Sequence, residues 1–90
     1  MTDAAAFTER QVDLLVFVRD YQRRHGHAPS FEEIRKALGF KSKSSINILA
    51  GQLKKRGAVD YLRGVHRSLR ILIDSDELDR MKSRKRTNGQ

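Results

Sequence analysis

Apolar residues in the first third of the chain recur with a helical period. Leu14, Phe17, Val18 and Tyr21 stand at i, i+3, i+4 and i+7, one face of an amphipathic helix. Val12, Leu15 and Val16 widen that face, so its buried stripe has no sharp edge. Thr8-Glu9-Arg10-Gln11 fits a capping box, in which the Thr8 hydroxyl accepts from the third helical N–H and Gln11 reaches back. Phe7 before the cap and Val12 after it form a hydrophobic staple, and Gly26 suits the C-terminal cap. His27-Ala28-Pro29 is a connector, since the proline disfavours helix in the residue before it. A second capping box, Ser30-Phe31-Glu32-Glu33, starts a short helix through Leu38 with Ile34, Ala37 and Leu38 inward and Gly39 closing it. After a turn at Phe40-Lys41, Ser42 caps a third helix to about Arg56, with Ile46, Leu49, Ala50 and Leu53 on its apolar side.

Beyond Gly57 the period falls to about two. Val59-Asp60-Tyr61-Leu62 reads as one strand and Leu69-Arg70-Ile71-Leu72-Ile73 as its return, with a turn glycine, Gly64, between them. Alternation sets Leu69 and Ile71 on the side opposite Arg70. So small a hairpin is marginal alone and must pack on the helices. From Asp74 the composition turns polar, acidic first and basic last, with Ser75 suited to cap a turn or two carrying Leu78 and Met81 on one side. The expected division is a flexible start over 1–6, a domain over 7–73, and a charged, mostly disordered tail over 74–90. Three helices followed by a β-hairpin predict a mainly α fold with a small β-hairpin, the order of a three-helix winged helix-turn-helix. In such folds the second helix of the pair enters the major groove and the hairpin is the wing.

Composition narrows the function. Ninety residues make one small domain, burying only about 60–65% of the unfolded surface. With no cysteine there is no disulfide and no thiolate metal site, and three histidines alone make structural zinc a poor expectation. No apolar run is long enough for a membrane span, and the start does not fit a signal peptide. A soluble, cytoplasmic, nucleoid-associated protein is expected. The formal charge of +8 is unevenly spread: residues 1–40 net zero, residues 41–70 net +7, and residues 71–90 net +1. One third of the chain carries the field, as a polyanion-binding surface does in one dimension. Enzymatic chemistry finds no footing, with no histidine–nucleophile pair at a motif spacing, no glycine-rich phosphate loop after a strand and no clustered metal ligands. No cofactor and no small-molecule ligand are expected.

The candidate interface is the start of the third helix and the wing. Ser42, Lys43, Ser44, Ser45, Asn47 and Ile48 combine small hydroxyls, an amide and one cation, which approach phosphates and base edges closely. Each has a plainer reading. The serines are a cap and surface polars, or groove contacts. Asn47 meets adenine edges, a phosphate, or nothing; Ile48 is a half-buried neighbour or a contact for a thymine methyl. Lys41, Lys54 and Lys55 are phosphate ligands, although the last two stand in a helix C-terminal turn where cations are favourable anyway. Arg63, His66 and Arg67 are wing contacts or a solvated hairpin face. Gly51, in mid-helix, is drift, packing, or a close backbone approach to the first helix. Arg84-Lys85-Arg86 adds nonspecific affinity or merely solubilises.

Phe7 to Leu72, 66 of the 90 residues, resembles the DNA-binding domain of the LexA repressor family. The stretches that carry the resemblance are FTERQ at 7–11, GHAPSFEEIRKALGFKS at 26–42, LKKRGAVDY at 53–61 and RSLRIL at 67–72. It implies that Ser42, Ser44, Ser45, Asn47 and Ile48 stand where family members contact DNA. This chain departs from the family at Lys43, where a proline is usual, at Ile48, where polar or charged residues are usual, and at Ala50, where a leucine is usual. Its target is therefore not expected to be the family's usual operator. Full-length members also carry a self-cleaving peptidase domain with a Ser–Lys dyad, which supplies most of the dimerisation. The 17 residues from Asp74 cannot build it, so no self-cleavage is expected.

The function expected is a sequence-specific, double-stranded-DNA-binding regulator of the LexA-like repressor kind, helped by a weak homodimer on DNA or by pairing with another repressor. Two alternatives stay open. One is an adaptor winged helix that modulates a full-length LexA-like repressor; the other is a nonspecific architectural nucleic-acid-binding protein.

Overall fold

A computed structural model of the chain describes residues 7–88, with side-chain surroundings given through Lys82. The expected flexible start at 1–6 lies outside the described residues, as do residues 89–90 and the side chains of Arg84, Lys85 and Arg86.

Helix α1 spans Glu9–His25, α2 Phe31–Leu38 and α3 Lys43–Lys55. Both expected capping boxes are present. The Thr8 hydroxyl accepts from Gln11 N at 3.1 Å while Thr8 N donates to Gln11 Oε1 at 3.0 Å. Ser30 and Glu33 make the same exchange at 3.1 and 2.8 Å. Gly26 and Gly39 end α1 and α2 in the left-handed conformation that glycine adopts without steric penalty. A short antiparallel ladder follows, β1 (Val59–Asp60) with β2 (Arg70–Ile71), pairing Val59 with Ile71 and Asp60 with Arg70. Helix α4 spans Ser75–Asn88. The fold is the expected one, mostly helical with a small hairpin, to which α4 is added.

One core serves all of it. Leu14, Leu15 and Val18 of α1 meet Ile34 of α2, Ile46, Ala50 and Leu53 of α3, and Val59 and Leu69 of the hairpin, all buried. Phe7 and Val12 join it together, as a staple should. Gln11 is buried too, and its amide donates to Gln52 Oε1 at 3.2 Å, tying the start of α1 to α3. Among the described residues no buried side-chain polar atom lacks a partner.

Several expectations meet a different arrangement. Ala37 is exposed, because α2 turns only the Phe31–Ile34–Leu38 stripe inward and Ala37 sits to its side. The strands are shorter than the sequence pattern. The Ser68 hydroxyl accepts from Leu62 N at 2.9 Å and donates to Leu62 O at 3.2 Å, so a side chain replaces the next backbone rung. Helix α4, beyond the boundary expected at Ile73, packs against the domain. Leu78 and Met81 are buried in the common core. Arg19 of α1, itself buried, donates to Asp79 Oδ1 at 2.7 Å and to the Ser75 carbonyl at 3.3 Å. Ser75 is the first helical residue rather than the cap: Leu78 N donates to the Asp74 carbonyl, and the Ser75 hydroxyl accepts from Arg23 Nη2 at 2.6 Å.

Candidate nucleic-acid interface

The turn that aims α3 is held by two arginines. Arg35 Nη1 donates to the Phe40 carbonyl at 3.0 Å, and its other nitrogens grip Glu32 at 3.0 and 2.6 Å. Arg10 Nη1 donates to the Leu38 carbonyl at 3.2 Å, with its guanidinium 4.6 Å from the centre of the Phe40 ring. In the sequence both arginines read only as charge; each bonds a carbonyl at the turn, which no local spacing connects to Arg10.

Helix α3 presents its start outward. Unlike α1 and α2 it has no side-chain cap bond and no acidic residue in its first turn. Ser42 stands at the cap position, but its hydroxyl lies 3.4 Å from that of Ser45 instead of on a backbone N–H. The first N–H groups of α3 thus keep their hydrogen-bonding capacity for an anion. Lys41, Ser42, Lys43, Ser44 and Asn47 are exposed, and Ser45 is half-buried. Ile48 is 63% exposed, which removes the half-buried reading of it. Ile46, Leu49, Ala50 and Leu53 hold the opposite side of the helix in the core.

The wing closes with Val65 N donating to Leu62 O at 3.0 Å around Arg63-Gly64, where Gly64 takes φ 75°. It faces α3 across a groove of about 520 Å³ lined by Lys43 and Asn47 on one side and Arg63 and His66 on the other, with Phe31 and Tyr61 between them. Glu32 is the acid among the lining residues, and Arg35 already occupies it. Arg35, with smaller help from Lys36 and Lys43, holds the Glu32 carboxyl below its usual range. The groove therefore keeps the positive charges of Lys43 and Arg63.

Five expected contacts are thus brought together: Lys43, Asn47, Arg63, His66 and Arg67. Ser44 and Ile48 are exposed on α3 beside them. Lys55 is exposed but lies at the far end of α3, about 18 Å along the axis from Lys43 at helical rise. Two expected contacts already hold partners within the protein. Lys54 Nζ donates to the Tyr61 carbonyl at 2.8 Å, lies 3.7 Å from Asp60 Oδ1 and sits over the Tyr61 ring. Arg67, exposed and itself lining the groove, has its guanidinium gripping Glu33 at 2.8 and 3.0 Å.

No helix among the described residues is long and apolar enough to cross a membrane, and no group of three or more metal-ligating side chains is found among them.

Residues 4–68 match the family model of the LexA DNA binding domain. Similar proteins include the LexA repressor of Acidiphilium cryptum, 43% identical over 65 residues, which are 72% of this chain and 28% of that protein. The LexA repressor of Gluconobacter oxydans is 42% identical over 72% of this chain and 26% of its own length. That of Mannheimia succiniciproducens is 31% identical over 86% of this chain and 36% of its own. The chain thus spans about a quarter to a third of the length of these curated relatives. The family match ends before α4.

Proposed function

The chain belongs to the LexA DNA-binding domain family, and on that premise we propose that it is a sequence-specific duplex-DNA-binding regulator that represses by occupying its site. The observation that carries this reading is the groove. Lys43 and Asn47 of α3 and Arg63 and His66 of the wing converge on one face, while the paired acids around them are already neutralised. Helix α3 enters the major groove by its first turns. Ser42, Lys43 and the open N–H groups meet phosphate; Ser44, Ser45, Asn47 and Ile48 face the base edges. An amide at position 47 suits adenine, and an exposed isoleucine beside it suits a thymine methyl. Lys41, Arg63 and His66 lie along the backbone. Lys54 and Arg67, which already hold Tyr61, Asp60 and Glu33, are assigned to the fold in this reading rather than to direct contact.

A module this small covers limited DNA surface, so a single copy holds a half-site weakly and firm occupancy needs a second copy or another repressor. The ninety residues act by binding, without cleavage, cofactor or metal, in the cytoplasm on the nucleoid.

Selection from a random duplex pool at physiological salt tests the proposal. An enriched motif is expected, one copy from a monomer or two inverted copies from a dimer. Salt-sensitive retention without enrichment would withdraw the base-reading roles and leave phosphate binding, the architectural reading. Retention of a partner protein that survives high salt, with no duplex bound, would put the adaptor reading in its place.

A further inference from the structure

We infer that Arg67 is the positioning residue of the wing: it latches the hairpin loop to α1 and α2 and makes no contact with DNA. The functional half of this rests on the DNA-binding reading above, and the structural half rests on geometry alone. Nη1 donates to Glu33 Oε1 at 2.8 Å and Nη2 to Glu33 Oε2 at 3.0 Å, the two-pronged pairing that a planar guanidinium makes and an ammonium does not. Nη1 also reaches the Ala28 carbonyl at 3.1 Å and the Tyr21 hydroxyl at 3.3 Å. One side chain of the wing therefore meets α1, the connector after it and the first turn of α2.

The backbone agrees. Arg67 has φ 58°, a left-handed conformation that a non-glycine residue keeps only when its surroundings hold it there. Glu33 is no mobile counter-ion either, since the same Oε1 accepts from Ser30 N in the capping box at 2.8 Å. One carboxylate starts α2 and holds the wing.

The wing needs such a tether. Its ladder is two residues long, and beyond it the loop is closed by the Ser68 hydroxyl on Leu62 and the Leu62–Val65 turn, while Lys54 and Phe31 hold only Tyr61 at its base. A two-stranded hairpin of that size does not hold its shape alone. Left loose, Arg63 and His66 would have to be ordered at the moment of binding, and that ordering lowers affinity. The latch does the ordering beforehand.

The test uses the full chain and three variants, Arg67→Lys, Arg67→Gln and Glu33→Gln. Glutamine at position 33 preserves the capping box, so α2 still starts normally. Two readouts are taken: hydrogen exchange of the Leu62 and Val65 amides in the free protein, and affinity and salt slope on the selected duplex. The latch predicts that all three variants speed exchange at those two amides by about three- to tenfold, with α1 and α3 still protected. It also predicts weaker binding in all three at an unchanged salt slope, even though Glu33→Gln raises the net charge.

A direct phosphate contact predicts the reverse. Arg67→Lys would bind like the wild type, Arg67→Gln would flatten the slope by about 0.9, and Glu33→Gln would bind more tightly by releasing a cation. That pattern overturns the inference, as does unchanged exchange at Leu62 and Val65. If the wild type binds no duplex, the proposed function and the latch's role in binding both fail, while the exchange measurement still decides whether the latch exists.

Discussion

Gly51 lies inside α3 on ordinary helical backbone, and a Cβ there would meet only the Tyr61 hydroxyl, at 3.8 Å. Nothing of α1 comes within 4 Å, so close backbone approach does not explain the glycine. What remains is its cost to the helix. Gly51→Ala should stabilise the protein by about 0.5–1 kcal/mol, seen as a higher denaturant midpoint at unchanged slope; a lower midpoint would overturn this account of the glycine. Glu33 makes the second residue-scale prediction. Hydrogen bonds from Arg67, then from the Ser30 backbone, draw its carboxyl from 4.5 down to about 2. A depressed carboxyl stabilises the folded state fully above its unfolded pKa and loses that contribution as pH falls through the folded one. The stability gap between wild type and Glu33→Gln should therefore be flat above about pH 4.5 and shrink toward pH 2 in thermal melts. A gap that does not vary with pH would mean that the pair adds nothing.

At the scale of elements, caps were easy to read and packing partners were not. Thr8 with Gln11, and Ser30 with Glu33, lie three residues apart, so their geometry is set as soon as the helix starts. Helix α4 is different. Its polar run looked like a solvated tail, yet Leu78 and Met81 enter the core and Arg19 reaches across to Asp79. Burial holds that guanidinium back less than Asp79 and Asp20 favour its charge, so its pKa is raised, and Asp79 in turn is held below its usual range, chiefly by Arg19. If α4 is part of the domain, Leu78→Ala should cost about 2–5 kcal/mol, a large share of what a domain of this size has. Chemical unfolding measures it, and a cost near zero would return the boundary to Ile73.

For the molecule as a whole, the field that reaches DNA is smaller than the formal charge. Of the basic residues in 41–70, Arg67 and Lys54 are paired with acids, and Arg56 packs over the Phe7 ring. Lys41, Lys43, Lys55, Arg63 and Arg70 carry no ion pair among the described residues. If these five meet phosphates, log affinity should fall against log salt with a slope of about −4.5. Fluorescence anisotropy across a salt series reads it directly. A slope near zero would end the electrostatic account, and one much steeper would bring the paired cations back into contact.

The sequence by itself determined three helices and a hairpin, their caps, and which third of the chain is basic. Those follow from interactions a few residues apart and from periodicity along one element, so they need no knowledge of the fold. The resemblance over Phe7 to Leu72 was legible for the same reason, being carried by the residues that make those local structures. Only the tertiary structure decided which cations remain open. Arg67 meets Glu33 across 34 positions of chain and Arg19 meets Asp79 across 60, separations at which sequence spacing carries no geometric information. Which carboxylate stands within 3 Å of an arginine depends on how the helices pack, and packing alone settles that.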